Sequence, residues 1–115
     1  MRYPALIALA VSLAVALSVS QGVAWTSYED GLHRGERDGK VIYVYFYSRN
    51  CPYCALMEDT FADPSVEQLL NSRFVAVRVD VEERPDLASL YTVLGTPMHV
   101  FLCPNGSLIL SLIHI

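Results

Sequence analysis

Residues 41–54 read VIYVYFYSRNCPYC, an apolar and aromatic run that leads through a short polar stretch into two cysteines. The first seven residues are β-branched or aromatic and do not alternate with polar ones, which predicts a central strand buried on both faces. Pro52 suits the first turn of a helix, because the N–H that it lacks would have no partner there. The stretch therefore predicts a buried strand, a turn at residues 48–50 and a helix that begins at the cysteine pair.

The two cysteines occupy the predicted start of this helix. Unsatisfied N–H groups and the positive end of the helix dipole favour a thiolate over a thiol there, so Cys51 is the predicted nucleophile. Cys54 follows one turn later and is the predicted resolving thiol, which attacks a mixed disulfide formed at Cys51. The alternatives are two cysteines buried by chance and a metal site, although no second Cys-x-x-Cys or histidine pair completes a tetrahedral zinc site. We expect a redox-active disulfide and no metal ligands.

The pattern on either side of this stretch predicts alternating helices and strands. Amphipathic spacing, N-cap signals and closing glycines predict helices at residues 25–39, 52–61, 64–71 and 85–94, the last of them ended by Gly95. Runs of β-branched and aromatic residues predict strands at residues 41–47, 74–80, 98–102 and 108–113. A turn at residues 104–106 joins the last two strands. This order predicts an α/β three-layer sandwich whose mixed sheet has central parallel strands and a C-terminal antiparallel hairpin.

Residues 1–24 have the order of an export signal. A positive charge near the N-terminus precedes an uncharged apolar stretch at residues 5–19, and small residues follow it. Cleavage is expected after Ala24 or, as the second choice, after Ser20, and an uncleaved membrane anchor is the alternative. The first 24 residues are therefore predicted to be a signal peptide or a membrane anchor, and residues 25–115 one small domain outside the cytoplasm.

The charge balance excludes one class of partner, and the cysteine count leaves one thiol over. The 115 residues carry a net charge of -4 with acidic and basic side chains interspersed, so no basic block is present to follow a phosphate backbone. We therefore expect no nucleic-acid partner.

Cys103 lies beyond Pro97 along a predicted strand, at a distance of roughly 20 Å, which is too far for it to join the cysteine pair without rearrangement.

A second feature, Gly95-Thr96-Pro97, lies just before a predicted strand. Together with the cysteine pair, this tripeptide resembles the thioredoxin superfamily over residues 25–115. The chain is also similar to exported thioredoxin-like proteins and to the thioredoxin-like domain of the spermatogenesis-associated protein 20 family. The residues that carry this closer resemblance are Cys51, Cys54, Met57, Glu58, Phe61, Asp63, Pro64, Val66, Asp80, Glu83, Arg84, Pro85 and Asp86.

The resemblance implies a thioredoxin-like fold and a thiol-disulfide oxidoreductase that acts on protein thiols or disulfides, uses no bound cofactor and is recharged by a membrane-linked partner. It implies that Pro97 is cis and lies beside the cysteines, and that the backbone of Thr96 pairs with the bound peptide. Pro52 and Tyr53 are the other expected substrate contacts. Glutaredoxins have a similar Pro-Tyr dipeptide, but no glutathione-binding signature accompanies it here. The alternatives are a binding or chaperone-like module with little redox turnover and a truncated inactive copy.

The sequence departs from the thioredoxin pattern in two places. Many thioredoxins have a buried aspartate six residues before the first cysteine, where this chain has Tyr45. We therefore expect Glu58, one turn beyond Cys54, to handle the proton of the resolving thiol, with a solvated surface carboxylate as the alternative. The sequence also stops at Ile115, before the final helix of such folds, so the apolar residues 108–113 are expected to lack cover and to favour self-association.

Overall fold

The computed structural model of the chain describes residues 21–113. Within this range the helices are α1 (Tyr28–Asp38), α2 (Pro52–Ala62), α3 (Pro64–Arg73) and α4 (Pro85–Leu90). The strands are β1 (Val41–Tyr47), β2 (Phe74–Asp80), β3 (Met98–Leu102) and β4 (Leu108–Ile113), with the bounds predicted from the sequence. The predicted export segment lies outside the described residues, apart from residues 21–24. No helix in this part of the chain has the length and apolarity needed to cross a membrane.

The strands form one mixed sheet in the order β2-β1-β3-β4. β1 runs parallel to β2 with Val41 opposite Phe74, and β1 runs antiparallel to β3. β3 and β4 form the predicted C-terminal antiparallel hairpin. Thr26 adds a single parallel bridge to Val77, at the edge of β2 that faces away from β1. The sheet confirms the predicted fold class and leaves β4 at the opposite edge.

Helices cover both faces of β1, which explains why its sequence does not alternate. Ile42, Val44 and Phe46 point into an apolar layer that includes Leu87 of α4 and side chains from α1. Tyr43 and Tyr45 point to the other face, where Phe61 of α2, Leu70 of α3 and Trp25 cover them. Full burial of one large apolar side chain contributes about 1.5–3 kcal/mol, so this strand supplies much of the stability of the domain. It also fixes the position of the turn that follows it.

Helix α1 is shorter than the predicted helix at residues 25–39, and its glycines serve packing. Ser27 caps the helix, because its hydroxyl accepts a hydrogen bond from the N–H of Asp30 at 3.2 Å. Gly39 ends it in the left-handed conformation with φ 64°, as predicted. Gly31 and Gly35 are buried, and a Cβ atom would overlap Val77 at the first position and Ile42 at the second. Glycine at these positions lets the helix approach the sheet closely.

Helix α4 ends at Leu90, so the prediction that it runs to residue 94 and ends at Gly95 is wrong. The N–H of Tyr91 bonds back to the carbonyls of Leu87 and Ser89 in a tight final turn. Thr92 then takes a positive φ of 53°, which stops the helix. β-Branched residues have low helix propensity, and the Val93 side chain packs against the core instead. The remaining residues form the loop that carries Thr96 and Pro97.

Candidate active site

The cysteine pair lies where β1 passes through a turn into α2. Cys51 is the N-cap of the helix, and its Sγ accepts a hydrogen bond from the N–H of Cys54 at 3.1 Å. A disulfide joins the two residues. Cys51 is partly exposed, whereas Cys54 is 5% exposed. The Cys51 sulfur is therefore the one that a second protein can reach, and the buried Cys54 sulfur can attack it from the interior of the protein.

The loop before β3 lies against the outer cysteine. The Thr96–Pro97 peptide bond is cis, as predicted, and Pro97 is fully buried. Cys51 Sγ lies 3.3 Å from the carbonyl oxygen of Thr96. The hydroxyls of Thr96 and Ser48 are hydrogen-bonded at 2.8 Å, which ties this loop to the turn after β1. The structure thus brings together Cys51, Cys54, Thr96 and Pro97, which lie far apart in the sequence.

Pro52 and Tyr53 form the first turn of α2 and are exposed beside Cys51. Half of the Tyr53 side chain is open to solvent, at 50% exposure. An exposed ring next to a reactive sulfur offers contact area to a bound polypeptide. Their role in substrate binding stays a prediction.

Tyr45 occupies the position at which many thioredoxins have a buried aspartate. Its ring is fully buried, and its hydroxyl donates a hydrogen bond to the carbonyl oxygen of Cys54 at 3.4 Å. Burial, and to a lesser extent the nearby Glu58 carboxylate, raises the pKa of Tyr45 to about 12. The phenol is therefore neutral at physiological pH and already donates its proton. It supports the helix, but it cannot accept a proton from Cys54.

Glu58 pairs with an arginine that the sequence analysis did not single out. Arg78 Nη2 donates to Glu58 Oε1 at 2.6 Å, and the guanidinium lies over the ring of Tyr47 at 4.5 Å from its centroid. A cation over an aromatic face contributes about 0.5–1 kcal/mol at a partly exposed position. Both charged residues line a groove of about 200 Å³ together with Cys51 and Cys54. Glu58 is therefore paired with Arg78 and does not contact solvent alone, as the alternative of a solvated surface carboxylate would have it.

The sequence held a signal for Arg78. It is the only charged residue inside β2 before its last position, and strand alternation places it on the same face as its neighbour Tyr45 in the sheet. A charge in the middle of a buried apolar strand indicates a partner on the next layer. That partner could not be identified because it belongs to α2, which is distant in sequence.

A second ion pair holds the turn that precedes the cysteines. Asp80, at the end of β2, is 6% exposed, and its carboxylate lies 3.3 Å from Arg49 Nε. The same carboxylate accepts the N–H of Glu82 at 2.9 Å. This buried acid therefore connects the loop after β2 to the turn before Cys51. The contacts fix the backbone that presents the disulfide.

Other titratable residues lie away from the pair. Arg84 reaches from the start of α4 to Glu29 of α1 at 2.8 Å, which lowers the pKa of Glu29 through hydrogen bonding. Cys103 is a free thiol in the turn between β3 and β4. Among residues 21–113 no three histidine, cysteine or carboxylate side chains cluster as metal ligands would.

Comparison with known proteins identifies relatives of this chain. A family model described as Thioredox_DsbH, protein of unknown function DUF255, matches residues 7–114. Spermatogenesis-associated protein 20 of Homo sapiens is 31% identical over 86 residues, which are 67% of this chain and 11% of that protein. The chain thus spans 11% of the length of this relative and 12% of the length of a similar Caenorhabditis elegans protein.

Solved structures show the same fold. A thioredoxin from Thermus thermophilus is 37% identical with a TM-score of 0.71, covering 80% of this chain and 75% of that one. A structure described as DsbH oxidoreductase has a TM-score of 0.71 at 20% identity, covering 84% of this chain and 80% of its own. The chain therefore shares the thioredoxin-like fold with these structures.

Proposed function

Because the chain belongs to the Thioredox_DsbH family, we propose that it is a thiol-disulfide oxidoreductase that exchanges disulfides with protein substrates outside the cytoplasm. The thioredoxin fold and the Cys51–Cys54 disulfide support a redox role in general. The observation that carries the specific proposal is the position of Cys51. It caps α2, is partly exposed, and lies 3.3 Å from the carbonyl oxygen of Thr96, before the buried Pro97.

The proposed reaction moves two electrons and leaves the protein backbone unchanged. In the reducing direction, the Cys51 thiolate attacks one sulfur of a substrate disulfide, and the other substrate sulfur leaves as a thiolate. Cys54 then loses its proton and attacks Cys51, which forms the Cys51–Cys54 disulfide and releases the second substrate sulfur. Run in reverse, the same steps oxidise a substrate dithiol.

Substrate recognition is proposed to use the exposed surface beside Cys51. Pro52 and Tyr53 are exposed in the first turn of α2 next to Cys51, and the carbonyl oxygen of Thr96 lies 3.3 Å from the Cys51 sulfur. A polypeptide that crosses this surface in an extended conformation could pair with the backbone of Thr96. Direction is set by the reduction potential of the pair, which equilibration with a glutathione buffer measures.

A turnover assay tests the proposal. The protein should accelerate reduction of insulin by dithiothreitol, or reactivation of scrambled ribonuclease, and Cys51→Ser should abolish that turnover. Cys103→Ser is the matched control, because it removes a thiol that lies outside the pair, and it should keep the native rate. Peptide binding that survives without any turnover in the native protein would instead support a binding module.

Export and recharging are separate parts of the proposal. A reporter that becomes active only after export, fused behind residues 1–24, should be active in cells, and fractionation should show whether it is released or stays in the membrane. A membrane-linked carrier is the proposed source or acceptor of electrons, since each turnover converts the Cys51–Cys54 couple from one redox state to the other and a second reaction must restore it. Cross-linking through a Cys54→Ser variant should trap that carrier as a mixed disulfide.

A further inference from the structure

Among the side chains that line the groove beside Cys54, one is a carboxylate. Tyr47 faces it from β1, Arg78 from β2 and Arg49 from the turn before Cys51, and none of these side chains is a carboxylate. His99 of β3 stacks on the ring of Tyr45 and is hydrogen-bonded to Tyr43. Glu58 of α2 is the carboxylate that lines the groove.

Arg78 is hydrogen-bonded to that carboxylate. Its Nη2 donates to Glu58 Oε1 at 2.6 Å, while the guanidinium carbon lies 4.5 Å from the centre of the Tyr47 ring. Arg78 Nε is buried and has no hydrogen-bond partner among the described residues. The arginine is thus held by stacking and by this one carboxylate. Glu58 is 47% exposed, so without the arginine its side chain would be free to rotate into solvent.

We infer that Arg78 is a positioning residue that holds the Glu58 carboxylate in the groove as the acceptor of the Cys54 proton. The inference rests on the proposed oxidoreductase function and concerns its second step. The Cys54 S–H bond breaks as its proton passes to Glu58, directly or through one water, and the thiolate attacks Cys51. The bond between Cys51 and the substrate sulfur then breaks, and the leaving thiolate takes up the proton from Glu58, directly or through water, which restores the carboxylate.

The two steps can be timed separately with 5,5′-dithiobis(2-nitrobenzoate). In reduced full-length protein carrying Cys103→Ser, Cys51 attacks the reagent and releases one coloured thiolate, and Cys54 then releases a second. Arg78→Met should slow the second phase on the order of tenfold or more near pH 7 and leave the first within about twofold. Glu58→Gln should have the same effect. The double variant should be no slower than either single variant, because the two substitutions disable the same proton acceptor.

Two further variants serve as controls, one for the loss of a positive charge and one for a failure of Arg78→Met to fold. Arg84→Met removes an arginine that pairs with Glu29 of α1 instead, and it should leave both phases unchanged. Arg78→Lys keeps the charge but cannot reproduce the planar stack, so it should give an intermediate second-phase rate and remains informative if Arg78→Met does not fold.

The outcomes separate the inference from the function on which it rests. An unchanged second phase in both Arg78→Met and Glu58→Gln overturns the inference, and so do slowing by Arg78→Met alone or additive slowing in the double variant. A native protein that releases only one coloured thiolate overturns the oxidoreductase function as well. Two phases in the native protein with no effect of the variants leave that function standing.

Discussion

The two sulfurs of the site differ in exposure, and this difference predicts their reactivity. Cys51 is partly exposed at the helix N-terminus, whereas Cys54 is 5% exposed. After reduction, an alkylating reagent at about pH 6 should therefore modify Cys51 first, because only this sulfur combines access with hydrogen bonding that favours the thiolate. Peptide mass spectrometry after short labelling times measures the order. First labelling of Cys54 or Cys103 would contradict the assignment of the nucleophile.

Tyr45 predicts how stability responds to alkaline pH. Burial raises its pKa to about 12, above the ordinary value of 10.0 that it regains on unfolding. The folded state therefore keeps the proton that the unfolded state releases, so this contribution to stability is complete below about pH 10 and is lost as the pH rises through about 12. Urea titrations from pH 8 upward should show this fall, and Tyr45→Phe should make it shallower. An equally steep fall in the variant would show that Tyr45 is not its source.

At the glycines of α1, helix propensity and packing against the sheet predict opposite effects on stability, and packing should prevail. Gly31→Ala and Gly35→Ala each gain up to about 1 kcal/mol of propensity, but the new Cβ would overlap Val77 or Ile42. Overpacking against a buried strand costs about 1–3 kcal/mol, so both variants should have a lower free energy of unfolding. Arg34→Ala is the control, because Arg34 is an exposed residue of the same helix and its replacement should change stability by about 0.5 kcal/mol or less. A stabilised Gly31→Ala protein would mean that the helix can move away from the sheet.

These glycines also show where sequence reasoning succeeds and where it does not. The bounds of β1 and of the final hairpin follow from local patterns, since runs of β-branched residues and turn residues act within a few positions. The packing role of Gly35 cannot be read from the helix pattern, because its contact with Ile42 arises only when the helix meets the sheet. Arg78 was overlooked for the same reason, since Glu58 comes from another element. Patterns along the chain predict elements, whereas contacts between elements depend on how they pack.

The segment before α1 predicts where the folded unit begins. Ala24 N–H donates to Asn71 Oδ1 at 2.8 Å, Asn71 Nδ2 donates to the carbonyl of Gly22 at 3.0 Å, and Val23 packs on the aromatic layer. A protein that starts at Gln21 should therefore be more stable than one that starts at Trp25, by about 1–3 kcal/mol. Chemical denaturation of the two forms measures the difference.

The same contacts bear on where the proposed export signal would be cleaved. If residues 22–24 belong to the folded domain, cleavage after Ser20 preserves them and cleavage after Ala24 removes them, so we propose the former. N-terminal sequencing of the exported protein checks this. A mature protein that begins at Trp25, together with equal stability of the two forms, would contradict the assignment.

The apolar layers of the molecule cover the sheet unevenly. The buried residues of both layers come from β1, β2 and β3 and from the helices, whereas all six residues of β4 are exposed. β4 is also the outer strand beyond β3, so one side of its backbone has no strand partner within residues 21–113. An exposed apolar strand at the edge of a sheet offers both hydrogen bonds and apolar surface to another chain.

This edge predicts self-association through β4. Its five large apolar side chains, Leu108, Ile109, Leu110, Leu112 and Ile113, are 44% to 59% exposed. Covering about 300 Å² of such surface would contribute about 7 kcal/mol before entropy losses, which is comparable to the whole stability of a small domain. We therefore expect a dimer or larger assembly at micromolar concentration, measured by sedimentation velocity. Leu110→Lys should shift it to monomer, whereas Leu94→Lys, at an exposed position outside β4, should not. A native protein that is monomeric, monodisperse and cooperatively folded would show that β4 needs no partner.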